Sequence, residues 1–124
     1  MIELLVVGLG GFFGAIARYG VTRSMARFSA DGFPYGTIVV NLVGCLLIGV
    51  VFAVVETRPT IPANLRLFIM IGILGSFTTF STFGHETLEL LKSGAIGATF
   101  AYLIGSVAVG LVAVVAGRAL GHLF

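Results

Sequence analysis

The sequence predicts an all-α integral membrane protein of four transmembrane helices, the third of them broken near the membrane centre. Three observations carry this reading. Of the 124 residues 58% are hydrophobic and 10% charged, against roughly 45–50% and ~25% in soluble globular domains. Four windows are almost free of charge: Leu4 to Ala17, Gly32 to Val55, Leu67 to Gly84 and Ser93 to Gly117. The third window carries five hydroxyl side chains in its second half, within Gly75-Ser76-Phe77-Thr78-Thr79-Phe80-Ser81-Thr82-Phe83-Gly84. A helix that only anchored would not need them. Helices of about 20 residues use nearly the whole chain, so a single membrane domain is expected. Its spans are placed at about residues 2–27, 36–55, 64–92 with a break at 75–79, and 94–121.

The first span opens Met1-Ile2-Glu3, without the basic start of a secretory signal, and is expected to be a retained helix. Gly8, Gly11 and Gly14 recur every three to four residues and give it a nearly smooth face for close helix packing. Arg18 follows on that face. Its side chain either snorkels to the interface or makes an electropositive mouth that gathers anions.

Polar residues from Arg23 to Asp31 and the turn Gly32-Phe33-Pro34-Tyr35-Gly36 precede the second span. There Thr37, Asn41, Gly44 and Ile48 share one face by their spacing. Asn41, the only amide in the apolar windows, reads either as interhelical hydrogen-bonding glue or as a donor to a passing anion. Cys45, the only cysteine, cannot pair within the chain and reads as a small neighbour in a packed helix.

A charged, proline-broken loop, Glu56-Thr57-Arg58-Pro59-Thr60-Ile61-Pro62, leads into the third span. Gly72 and Gly75 tolerate unusual backbone angles and Ser and Thr hydroxyls bond backbone groups, so residues 75–79 read as a helix break. Such a break in lipid must be surrounded by protein or line a cavity, which suggests an ion or substrate site. Past it, Phe80 and Phe83 lie on one face, with Ser81 and Thr82 on the adjoining flank. The positive edges of such rings can help to hold an anion. Glu86 continues the aromatic face to a helix end, with His85, Glu89 and Lys92, that reads as solvated. The fourth span carries Thr99, Tyr102 and Ser106 as a polar stripe that should turn inward, and Ala113, Gly117 and Gly121 as a small-residue ridge.

No carboxylate lies near the middle of any span, which counts against proton-coupled transport. There is no paired carboxylate, Cys/His cluster, P-loop or Ser-His-acid set, so no enzyme activity is expected. The net charge of +2, without a basic run, gives no case for nucleic acid. What remains inside the membrane is neutral donors and ring edges, a lining suited to a small, strongly hydrogen-bonding anion.

Gly11-Phe12-Phe13-Gly14 with Arg18-Tyr19, Gly36-Thr37 with Asn41, and above all Gly75-Ser76-Phe77-Thr78-Thr79-Phe80-Ser81-Thr82-Phe83 resemble the Fluc (CrcB-type) family of bacterial fluoride channels. The resemblance covers essentially the whole chain. It implies a multi-pass protein of the bacterial inner membrane that passes fluoride passively outward and lowers cytoplasmic fluoride. It also implies an antiparallel homodimer with two pores and a central structural sodium ion. Carried over by motif, Phe80 and Phe83 are the rings on the fluoride path, Asn41 the helix-two donor, and Ser81 and Thr82 the hydroxyl track. Tyr102 and Ser106 resemble the helix-four lining, Glu86 the acid past the rings, and Arg18 and Thr37 the vestibule. The sodium ligands would be the carbonyls of Gly75 and Thr78, and Ser76 stands where many members have glycine.

Two rival functions fit less well. A small four-helix multidrug exporter of dual topology would need a membrane-embedded acid in its first helix, where this chain has Gly8 to Ala17. A non-transporting assembly subunit would have no use for the break, ring pair and polar stripes together.

Charge placement bears on topology independently. Arg58, Arg66 and Arg118 fall on one side of four spans, and Arg23, Arg27 and Lys92 on the other. Three against three leaves almost no positive-inside bias, so a dual-topology antiparallel homodimer is expected, its two copies surrounded by membrane lipid.

Overall fold

The computed structural model describes residues 1–124 and is all-helical. Helix α1 (Ile2–Met25) ends in a 3-10 turn, Ala26–Phe28; α2 is Tyr35–Thr57. The third span has two parts, α3 (residues 63–77) and α4 (Phe80–Lys92), and α5 (Ile96–Gly121) is the fourth. All four spans are long and apolar enough to cross a membrane.

The loops are set by local chemistry. After the 3-10 turn the Asp31 carboxylate accepts from the Phe33 N–H at 3.0 Å and the Tyr35 hydroxyl at 3.1 Å, beside Gly32 with φ +76°. Pro34 then stands at the N-cap of α2. Between α4 and α5 the chain turns at Gly94, φ +78°. The Ala95 N–H donates to the Leu90 carbonyl at 3.2 Å and the Gly94 N–H to that of Leu91 at 3.1 Å, the paired bonds of a Schellman cap.

Helix packing rests on glycine, as expected where lipid supplies no hydrophobic drive between helices. α2 and α5 form the most extensive pair. Gly117 lies against Leu46 and Val50, where an added Cβ would come within 3.1 Å of the Val50 nitrogen; on Gly121 it would come within 2.7 Å of the Ala53 Cβ. α1 packs on α3, and there the contact differs from the expected smooth face. Gly10 and Gly14 make it, with a Cβ on Gly10 falling 2.9 Å from the Gly72 Cα, whereas Gly8 and Gly11 have open space beside them. One glycine spacing fits several faces of a helix, and the partner's position selects among them.

The break also differs from expectation. Leu67–Leu74 winds as a wider π-helix, with the Gly75 N–H reaching the Met70 carbonyl five residues back. Gly72 and Gly75 are helical; only Thr78 (φ −79°, ψ 161°) and Thr79 (φ −151°, ψ 124°) are extended. The interruption is therefore two residues rather than the expected 75–79, and threonines make it. Both adopt ordinary β-region angles that any residue can take. Gly72 serves close approach to α1 instead.

Only 18 of 124 residues are buried, and large apolar side chains such as Leu4, Phe12, Phe100, Ile104 and Leu111 face outward. Contiguous apolar surface on this scale suits lipid or a second protein rather than water. If the glycine contacts hold the bundle, Gly117→Ala should cost about 1–3 kcal/mol by overpacking. Gly97→Ala, where an added Cβ meets nothing within 4 Å, should leave the melting temperature in detergent unchanged or raised. Equal melting temperatures for the two variants would remove the α2–α5 glycines from this role.

Candidate functional site

The two extended residues interrupt the backbone ladder inside the span. The last bond of α3 runs from the Thr78 N–H to the Leu74 carbonyl at 3.1 Å. The Thr79 N–H, which would continue the ladder to Gly75, goes instead to Asn41 Oδ1 at 2.9 Å. Asn41 Nδ2 donates back to the Thr79 carbonyl at 3.0 Å. The amide thus pairs with one residue's backbone as a neighbouring β-strand would. Of the two roles considered for Asn41, interhelical glue is the one these bonds perform, and one Nδ2 hydrogen is left over.

Hydroxyls complete the join. Ser76 Oγ donates to the Gly72 carbonyl at 2.7 Å and Thr78 Oγ1 to that of Leu74 at 3.0 Å, each bonding its own helix. Thr79 Oγ1 accepts from the Thr82 N–H at 3.2 Å and so caps α4. It also lies 3.1 Å from Thr82 Oγ1 and 3.4 Å from Ser81 Oγ. Ser81 and Thr82 are exposed on this first turn, on the flank beside the rings. The sequence assigns Thr79 no role in the pathway, although a threonine immediately before a helical run is an N-cap signal.

From α1, Arg18 Nη1 donates to the Thr78 carbonyl at 3.3 Å. Its guanidinium lies at the break itself, so the snorkelling orientation is not the one adopted. The carbonyl keeps a second lone pair, and the Gly75 carbonyl has no ladder amide because the Thr79 N–H is turned to Asn41.

Beside the break lies an open groove of about 380 Å³. Asn41, Cys45, Thr78, Phe80, Phe83 and Ser106 are on its walls, together with the apolar side chains of Ile48, Met70 and Val107. Ser106 Oγ is buried and has no hydrogen-bond partner. Cys45, Met70 and Val107 carry no site signal in the sequence, because apolar residues in a span look alike until their neighbours are known.

The rings lead away from the groove. Phe80 is 84% exposed and Phe83 is 7% exposed, with centroids 5.9 Å apart. Phe83 continues to Tyr102 at 4.9 Å. Tyr102, 1% exposed, donates its hydroxyl to Glu86 Oε2 at 2.7 Å, and buried Thr37 donates to Oε1 at 2.9 Å. Glu86 is therefore no solvated helix end: hydroxyls from α2 and α5 hold both its oxygens. Three helices meet at that carboxylate, which their separate sequences could not show. Thr37, Asn41, Gly44 and Ile48 do form one face, meeting Glu86, the break and the groove in turn.

The structure thus divides the expected site residues into neighbouring groups. Asn41, Phe80, Phe83, Ser106, Gly75 and Thr78 share the groove; Thr37, Glu86 and Tyr102 are bonded together beyond the rings; Arg18 reaches the break from the α1 side.

Comparison with known proteins gives a consistent assignment. The family described as "CrcB-like protein, Camphor Resistance (CrcB)" matches residues 5–118. A "Fluoride-specific ion channel FluC" of Chloroflexus aurantiacus is 44% identical over 124 residues, covering 100% of this chain and 98% of the relative. A protein of the same description from Phocaeicola vulgatus is 47% identical over 117 residues, covering 94% and 96%. A third, from Agrobacterium fabrum, is 40% identical over 122 residues and covers 98% of both. A match that runs through all four spans at this identity places the chain in the CrcB-like family, as a multi-pass membrane protein.

Proposed function

We propose that this protein is a fluoride channel, letting the ion leave the cell passively and so lowering cytoplasmic fluoride, with no enzymatic step. The observation that carries the reading is the groove at the break, walled by an amide, a free hydroxyl and two phenyl rings without a carboxylate. Full-length relatives described as fluoride-specific channels support the choice of ion.

A small anion entering the groove exchanges water for fixed donors: the spare Nδ2 hydrogen of Asn41, the Ser106 hydroxyl and the positive edges of Phe80 and Phe83. Ser81 and Thr82 offer hydroxyls beside the rings. Donors of this kind bind well enough to replace hydration and weakly enough to release the ion. Arg18 adds positive potential at the break. Glu86 would repel an anion, but both its oxygens accept from Thr37 and Tyr102, which orients those hydroxyls and draws charge from the carboxylate.

The working unit in this reading is an antiparallel homodimer in the inner membrane. One subunit leaves the groove open and Phe80 84% exposed at its edge, and a second copy would enclose both. A sodium ion suits the same assembly. Backbone carbonyls are hard oxygen ligands, and those of Gly75 and Thr78 would hold it, each with a lone pair left by the hydrogen bonding described above. Bound there, the ion would neutralise carbonyl dipoles brought together by two subunits.

Four outcomes are expected. Liposomes carrying the purified protein should release fluoride and nearly exclude chloride. Phe80→Ile and Phe83→Ile should each lower fluoride flux by about tenfold or more, as a barrier rise of ~1.4 kcal/mol does, with the dimer intact by size exclusion. Unchanged flux in both variants would take the ring edges out of the pathway. Prolonged sodium depletion should reduce both melting temperature and flux; if fold and flux persist, the carbonyl site holds no structural ion. C-terminal reporter fusions should reveal both orientations, and two or three lysines added to one loop should fix one of them. The fixed form should conduct only when coexpressed with an oppositely fixed form. Full activity from a single orientation would require a parallel assembly.

A further inference from the structure

Two features of α2 that lie about one helical turn apart meet the break. Asn41 brackets the Thr79 backbone, as described above. Gly44, three residues on and therefore on the same face, lies against the preceding residue, Thr78. A Cβ built on Gly44 would overlap the Thr78 Cγ2 methyl, while the next nearest atoms, Thr78 Cβ and Phe77 Cδ1, would be 3.6 and 3.7 Å away, at ordinary contact. A single methyl group therefore fills the space that glycine leaves.

That methyl has little freedom to yield. Thr78 Oγ1 donates to the Leu74 carbonyl at 3.0 Å, which fixes the rotamer, and a β-branched side chain is stiff at χ1. The Thr78 carbonyl accepts from Arg18 of α1 at 3.3 Å. Moving Thr78 would move its carbonyl, and with it Thr79 and the start of α4 that carries Phe80.

We infer that Gly44 is a positioning residue for the fluoride pathway: its bare α-carbon is the socket for the Thr78 methyl that seats the helix break at the depth where Asn41 and Phe80 share one groove. The inference rests on the channel reading above, and it adds a residue of the groove wall that acts through the backbone it seats.

The test is a double-mutant cycle read as fluoride flux from liposomes, with Gly44→Ala, Thr78→Ser and the double variant. Serine keeps the hydroxyl that bonds Leu74 and removes only the methyl that would collide. Gly44→Ala should lower flux by about tenfold or more in the Thr78 background, from overpacking in a rigid contact. In the Thr78→Ser background the same change should cost less than about threefold, the pair being coupled through direct contact. Equal fold-losses in the two backgrounds, or no loss from Gly44→Ala, would overturn the inference.

Melting temperature in detergent, measured on the same four proteins, gives a second cycle that does not depend on conduction. It should show the same compensation if Gly44→Ala folds poorly or Thr78→Ser conducts too little to compare. A double variant no more stable than Gly44→Ala would then overturn the socket. No fluoride flux from the unaltered protein would instead overturn the channel reading, and the melting cycle would still decide whether Gly44 seats Thr78.

Discussion

Backbone amides and carbonyls released from a helix inside a bilayer have no water to turn to, and the Asn41 side chain meets that demand where the third span opens. It gives the Thr79 N–H an acceptor at 2.9 Å and its carbonyl a donor at 3.0 Å. The two-residue interruption can persist because its backbone is paired. The rest of the site is arranged around this join: Arg18 holds the preceding carbonyl from α1, Gly44 admits the preceding methyl from α2, and Thr79 caps the helix that resumes. An apolar residue at position 41 would leave a buried donor and acceptor unpaired at once, each costing about 1–3 kcal/mol.

The polar residues of the third and fourth spans therefore have different duties despite their chemical similarity. Ser76, Thr78 and Thr79 turn their hydroxyls onto the backbone or the capping turn and hold the break together. Thr99 likewise bonds the Ala95 carbonyl at 2.9 Å. Ser106 does not follow this habit: its buried hydroxyl lacks a partner on the groove wall. That donor is the one the proposed pathway would use. A hydroxyl already bonded to its own helix suits support. Glu86 shows the opposite arrangement, a half-buried carboxylate whose two oxygens each accept one hydroxyl, from Thr37 and from Tyr102.

The apolar exterior and the open groove are the surfaces that the proposed second copy would cover. Four helices bury only 18 residues among themselves, and Phe80 stands 84% exposed beside the groove. Most of that exterior can face lipid, but a ring at the mouth of the groove that holds Asn41 and Ser106 is better covered by protein. Balanced arginines and lysines on the two sides remove the usual preference for one orientation. Such a chain can supply both halves of an antiparallel pair from one gene product.

The sequence by itself determined the fold class, the number of spans and the residue face of α2 that serves the site, because hydropathy and helical spacing are local properties. It also located the break to within a few residues, since hydroxyls and glycines clustered in an apolar run weaken a lipid-facing helix and favour an interruption there. It did not determine which residues leave the helix. Glycine's freedom together with the hydroxyls pointed to residues 75–79, yet only Thr78 and Thr79 are extended, the Thr79 backbone being paired by a side chain 38 positions away and the Thr78 carbonyl accepting from Arg18. The sequence also chose Gly8, Gly11 and Gly14 as the packing face of α1, whereas the seat of α3 brings Gly10 and Gly14 into close approach and leaves Gly8 and Gly11 beside open space. Glu86 looked solvated for the same reason: its partners lie on α2 and α5. Tertiary structure decided these points because a hydrogen bond or a missing Cβ acquires meaning only when the opposite helix is in place.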